Sequence, residues 1–185
     1  MRPAPAGRIG PGGVPMVEVE VLSLAIDENN RYPVVILQTP DGSRRLPIWI
    51  GPPEASAIAM EVAGKKFQRP LTHDLLVSIL KGLQARVRRV EICDLKQNTF
   101  YAKITIEAGG QILSIDARPS DSIAIALKTK AKIFAAEELL TDELDRIIQT
   151  EGPAQAPEQS DEERAEELRQ FIENLNPKDF GKFQF

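Results

Sequence analysis

The sequence predicts an α+β fold: one compact domain of mostly antiparallel strands with helices packed on the sheet, followed by an amphipathic C-terminal helix. Three observations carry this. Segments of period-2 hydrophobicity come in two runs of three, separated and followed by segments of helical periodicity. The connections inside each run are only a few residues long, too short for the crossovers that parallel neighbours need. The 185 residues, 42% hydrophobic and 27% charged, match a single soluble domain with tails.

Residues 1–15 (MRPAPAGRIGPGGVP) lack periodicity and are rich in Pro and Gly, which predicts a disordered extension. Met16 directly precedes a strong strand and is read as the natural start; peptides from residues 2–15 in N-terminal mass spectrometry would exclude that. The domain is expected over residues 16–150. In its first strand Val17, Val19 and Val21 share a face, with Glu18 and Glu20 opposite. Leu22, Leu24 and Ile26 then take over on the other parity, which predicts a bulge or a strand covered on both faces. Asp27 to Asn30 reads as a turn. Pro33 to Thr39 is the second strand, Pro40-Asp41-Gly42 a hairpin turn, and Ser43 to Ile50 the third strand, with Trp49 on the face opposite Leu46, Ile48 and Ile50.

Gly51-Pro52-Pro53 stops that strand and opens a helix with Ala55, Ile58, Ala59 and Val62 at helical spacing. A second helix follows at Arg69-Pro70-Leu71-Thr72-His73-Asp74-Leu75-Leu76. Thr72 is its expected N-cap, and Leu75, Leu76, Ile79, Leu80 and Leu83 its inward stripe. Three strands are expected over 87–94, 99–107 and 110–116, the last two joined at Ala108-Gly109-Gly110. Arg118-Pro119 leads into a third helix, with Ser120 as expected cap and Ile123, Ala124 and Leu127 as its stripe. Ile133-Phe134 reads as a short strand, and Ala135 to Gln149 as short helical segments. Residues 151–160 form a linker. Residues 161–185 form an acidic helical tail whose stripe is Ala165, Leu168, Phe171, Ile172 and Leu175.

Composition narrows the function. Residues 16–150 carry 17 basic and 18 acidic side chains, so the domain lacks the basic excess of a dedicated nucleic-acid binder. The tail, 151–185, holds 9 acids against 4 bases. With aromatics at 5%, few rings are on hand for base stacking. Cys93 is the only cysteine, so neither a disulfide nor a cysteine zinc site forms within one chain, and a reducing, cytoplasmic setting is expected. No window has the 18 or so apolar residues of a membrane span.

Three stretches go beyond generic patterning: Leu46-Pro47-Ile48-Trp49-Ile50-Gly51 with Glu54-Ala55 after it, the Arg69–Leu76 stretch, and Ile115-Asp116-Ala117-Arg118-Pro119-Ser120-Asp121-Ser122-Ile123-Ala124. In order and spacing they resemble the bifunctional nuclease (BFN) domain family, over about residues 16–150. The family pattern often has Ala where this chain has Ser122. The resemblance implies a compact α/β domain and a nuclease acting on DNA and RNA.

Cutting a phosphodiester needs an activated nucleophile, neutralisation of the phosphate and help for the leaving oxygen. Clustered carboxylates holding a divalent metal supply all three, and a histidine base beside an arginine is the alternative. Asp121, Asp116, Asp74 and His73 are the candidates for the chemistry, with Arg69 and Arg118 as phosphate clamps. Asp74, Asp116, Asp121 and Glu54 are the candidate ligands of a divalent ion, Mg²⁺ or Mn²⁺. Two Arg-Pro helix starts flanking one anion would make a site if the fold brings them together. The same residues also suit helix entrances: acids in the first turn stabilise a helix through its dipole. A second functional reading is therefore a non-catalytic, oligomeric interaction or regulatory module, and self-association into a homo-oligomer is expected under both.

Overall fold

The computed structural model describes residues 8–9, 13–27 and 31–142. The chain divides into two compact units, Met1–Gly152 and Pro153–Phe185, and all described residues lie in the first. The expected linker and acidic tail fall outside them.

The elements in chain order are β1 (Arg8–Ile9), β2 (Pro15–Ile26), β3 (Pro33–Gln38), β4 (Arg45–Trp49), α1 (Pro52–Val62), α2 (Thr72–Gly82), β5 (Arg86–Lys96), β6 (Thr99–Ala108), β7 (Gln111–Ala117), α3 (Pro119–Thr129) and β8 (Lys132–Ala136), then a 3₁₀ turn at Glu137–Leu139. The strands form one sheet in the order β4-β3-β2-β8-β5-β6-β7, with β1 pairing β2 off that path. Every pairing is antiparallel except β5 with β8. The α+β architecture expected from the sequence is the one observed.

β8 is what makes one sheet of two meanders. It sits between β2 and β5, pairing Val19 with Ile133 on one side and Val90 with Ile133 on the other. A central strand covered on both faces has no reason to alternate. Ile133 and Ala135 enter the main core, while Phe134 and Ala136 join a second cluster with Met16. The parity switch in β2 coincides with the expected bulge, not with cover on both faces. Its first half pairs β8 and its second half pairs β3, with a register shift between Val21 and Ser23. Leu22 and Ile26 stay exposed. Trp49, on the far face of β4, donates from Nε1 to the buried Asp27 Oδ2 at 2.8 Å. Gly109 and Gly110, both at positive φ, close the β6–β7 hairpin without the steric cost a side chain would bring.

Four expectations need correction. Arg8–Ile9, read as part of a disordered extension, pairs with β2 as β1. Of the short helical segments expected over 135–149, the described part holds the end of β8 and one 3₁₀ turn. The helices begin one or two residues earlier than expected: Leu71 and Arg118 are the N-caps, and Thr72 and Ser120 are already inside. The inward face of α2 is also different. Leu75, Leu76, Ile79 and Leu83 are exposed, whereas Val77 is buried and Leu80 packs on the core. The face turned to α3 is His73, Val77 and Leu80, an i, i+4, i+7 stripe that includes a polar residue and so escapes a count of apolar positions alone.

The three helices cover one face of the sheet. α3 packs on β5, β6 and β8, and α1 and α2 both pack on α3. The main core lies beneath them, built from Val90, Ile92, Ile104, Ile106, Ile123, Ile125 and their neighbours.

Candidate functional site

Where the three helices meet, charged or polar residues stand one turn from a buried apolar one on each, and on α1 and α3 they bracket it. On α1 the set is Glu54, Ile58, Glu61; on α2 His73 or Asp74 before Val77; on α3 Asp121, Ile125, Lys128. Spacings of three, four and seven residues put each set on one helix face. Burial of Ile58, Val77 and Ile125 fixes the helices, and the flanking polar groups then meet.

At one end, His73 Nε2 lies 3.1 Å from Asp121 Oδ1. Facing a carboxylate, Nε2 carries the hydrogen and donates it, which leaves Nδ1 of the neutral ring as an acceptor. Arg118 grips the same carboxylate, Nε donating to Oδ2 at 2.7 Å and a terminal nitrogen to Oδ1 at 3.2 Å. Its other terminal nitrogen donates to Glu54 Oε1 at 2.9 Å. Asp121 is thus held from two sides and Arg118 from two. Partial burial pushes the Asp121 carboxyl upward, but Arg118 and His73 outweigh it and keep it below the ordinary carboxylate range.

At the other end, Lys128 Nζ donates to Asp74 Oδ1 at 2.6 Å and to Glu61 Oε2 at 2.8 Å, tying all three helices through one ammonium. Asp74 Oδ2 also accepts the N–H of Leu71 at 3.0 Å, a side-chain cap on α2. Lys128 first, then that N–H, hold Asp74 below the usual carboxylate range. Burial opposes the Lys128 charge, but Asp74 and Glu61 outweigh it and raise the ammonium's pKa.

Of the residues singled out from the sequence, the structure brings His73, Asp121, Arg118 and Glu54 into one contact network and Asp74 into its neighbour. The two Arg-Pro helix starts do meet, through His73 and Asp121. Asp116 and Arg69 do not join them. Asp116 lies exposed on β7, opposite Lys103 in the ladder, and Arg69 lies exposed before α2; neither has an ion pair among the described residues. Glu61 and Lys128 are the members the sequence reading missed. Their signal was there: each stands seven residues after a singled-out acid, Glu54 and Asp121, on the same helix face.

This donor set does not fit a divalent metal as it stands. Glu54 and Asp121 are bonded to Arg118 and Asp74 to Lys128, and no three His, Cys, Asp or Glu side chains among the described residues converge on a common point. A cation would have to displace those side chains first.

Arg88, Arg89 and Lys132 line a shallow cleft of about 390 Å³ beside Thr105, Ile112 and Phe134. Each has its own carboxylate, Glu107, Glu91 and Glu18. Among the described residues no helix is long and apolar enough to cross a membrane.

Comparison with known proteins agrees with the resemblance seen in the motifs. Residues 35–146 match the bifunctional nuclease domain, a span that contains all three helices and the whole charge network. Two relatives from Mycobacterium tuberculosis, "Uncharacterized protein MT1877" and "Uncharacterized protein Rv1829", are each 36% identical over 165 residues, covering 89% of this chain and 98% of their own length. The chain belongs to the bifunctional nuclease domain family.

Proposed function

We propose that this protein is a cytoplasmic nuclease that hydrolyses phosphodiester bonds of DNA and RNA without strong sequence specificity, using the His73–Asp121–Arg118 cluster. The observation that carries the reading is the junction of two helix starts at 3.1 Å, His73 to Asp121, with an arginine on the same carboxylate. Family membership supports the reaction class.

In this reading Asp121 holds the ring of His73 in place through Nε2, and Nδ1 takes the proton of an attacking water. The water oxygen bonds to phosphorus as the P–O bond to one sugar breaks, the departing oxygen takes up a proton from solvent, and His73 returns the proton it accepted to solvent. Arg118 is 65% exposed at its side chain while anchored at both carboxylates. Its remaining N–H groups face a phosphate and neutralise the charge that builds there. Groups that read phosphate and not base edges give little sequence preference. No step runs through a divalent metal, because every carboxylate of the cluster already has a cationic partner.

The test incubates single- and double-stranded DNA and RNA with the full chain, with EDTA or with added Mg²⁺ or Mn²⁺. Asp121→Ala and His73→Ala should each slow cleavage about 100-fold or more, the usual share of a positioned acid or base. Asp116→Ala and Arg69→Ala should stay within about twofold. Wild-type rates in Asp121→Ala would remove this site. A strict metal requirement would assign the chemistry to a different carboxylate set. If the wild type cleaves nothing under any condition, the exposed apolar faces of α2 and β7 favour the reading as an interaction module.

A further inference from the structure

The sheet's two terminal strands are finished in opposite ways. β4 is closed. Leu46, Pro47 and Ile48 are buried, Pro47 has no N–H to offer, and Arg45 exchanges backbone hydrogen bonds with Thr141 at 2.8 Å in both directions. β7 is open. It pairs only with β6 among the described residues, all of it except Ala117 is exposed, and its register with β6 runs without a shift. Apart from the single charge of Asp116 it lacks the devices that keep a sheet edge from pairing: it has no Pro, no Lys and no bulge, and no cover among the described residues.

Its exposed side chains are apolar. Ile112 is 64% exposed, Leu113 43% and Ile115 44%. Leu113 and Ile115 stand opposite Ile106 and Ile104, so they share the helix-covered face. α2 lies on that same face and turns out Leu75, Leu76, Ile79 and Leu83, exposed by 52%, 40%, 49% and 70%. Taking about 200 Å² for a fully exposed Leu or Ile, the six side chains on the helix face offer roughly 600 Å² per copy and about 1,200 Å² per pair, at the lower end of specific interfaces.

We propose that β7 is a self-association edge, and that its occupant is the β7 of a second copy, added antiparallel about a two-fold axis near Ser114. Such a contact is isologous and closes at two copies, so it removes the open edge from both at once. In this register Leu113 lies opposite Ile115 of the partner subunit on the helix face. Asp116, the only charge on β7, lies opposite Ile112 of the partner subunit and not opposite its own equivalent, so no like charges oppose across the axis. A two-fold normal to the joined sheet keeps both sets of helices on one side, so both His73–Asp121 clusters face the same way. The proposal stands on the strand edge and the apolar face of α2, and holds whether or not the cluster cleaves nucleic acid.

The experiment measures the mass of the full chain by light scattering after size exclusion, from about 1 to about 200 µM, because association is concentration-dependent. The expected particle has twice the 20.5 kDa of one chain. Leu113→Lys combined with Ile115→Lys should run as the monomer with unchanged far-UV circular dichroism, and Ile79→Lys should weaken association about tenfold. Hydrogen exchange on the wild type needs no variant: the outward amides of β7 should gain protection as concentration rises, with β6 unchanged. A wild-type monomer at all concentrations, an oligomer that survives the edge substitutions, or β7 amides indifferent to concentration would each overturn the proposal.

Discussion

Ser122 carries a hydroxyl where an apolar group would serve better. It is fully buried in α3, and its Oγ has no hydrogen-bond partner among the described residues. An unpaired buried polar group costs about 1–3 kcal/mol. Ser122→Ala should therefore raise the unfolding free energy by about 1 kcal/mol, read by urea denaturation, with cleavage unchanged. Gly51 shows the opposite economy. It caps α1 with ordinary backbone angles, so its role is space: a Cβ there would overlap Oε2 of Glu54. Gly51→Ala should push that carboxylate off Arg118 and lower cleavage several-fold with little loss of stability, since the obstacle is the end of a flexible side chain. The glycine that closes the Leu46–Gly51 motif thus leaves room for a charge three residues on. Burial within β5 pushes the Cys93 thiol pKa up.

Among the elements, α2 is the most exposed to perturbation. It touches α3 and leaves most of its large side chains outside, so the Lys128 bridge carries much of its attachment. Lys128→Met would strand the Asp74 and Glu61 carboxylates and should cost about 1 kcal/mol, since both retain partial access to water. Acid should do the same in the wild type. Asp74 and Asp121 have folded pKa values below their unfolded ones, so their contribution is fully present above about pH 4. It is lost as pH falls through the folded values. The thermal midpoint should drop on going from pH 7 to about pH 3, and drop less in Lys128→Met, whose Asp74 loses the larger of the two interactions that depress its pKa. An equal drop in both proteins would mean the bridge does not hold α2.

At the scale of the whole molecule, two meanders become one domain through β8, and the helices that cover the join also assemble the cluster. The site therefore depends on the sheet being closed in its middle, while self-association depends on its being open at β7. These are separable. Edge variants should cleave nucleic acid per chain like the wild type unless the paired copy is needed, and cluster variants should keep the mass of the wild type.

The strands, their hairpins, the three helices and the α+β class are local matters. Period, turn residues and helix entrances act over a few positions, so residues such as Val17, Trp49 and Gly109 announce them in the chain itself. Family membership was legible for the same reason, since the three motifs are contiguous. Tertiary structure decided the rest. That His73 reaches Asp121 and that Lys128 joins Asp74 to Glu61 follow from how α1 and α2 pack on α3, which brings together residues up to 67 positions apart. Asp116 looked like their partner because it precedes Arg118 by two residues, yet strand geometry sends it away from the helices. α2's leucines looked like core because apolar spacing reports a face without saying what the face meets. Packing between elements is set by which surfaces find cover, and only the assembled sheet and helices show that β7 and α2 do not find it among the described residues.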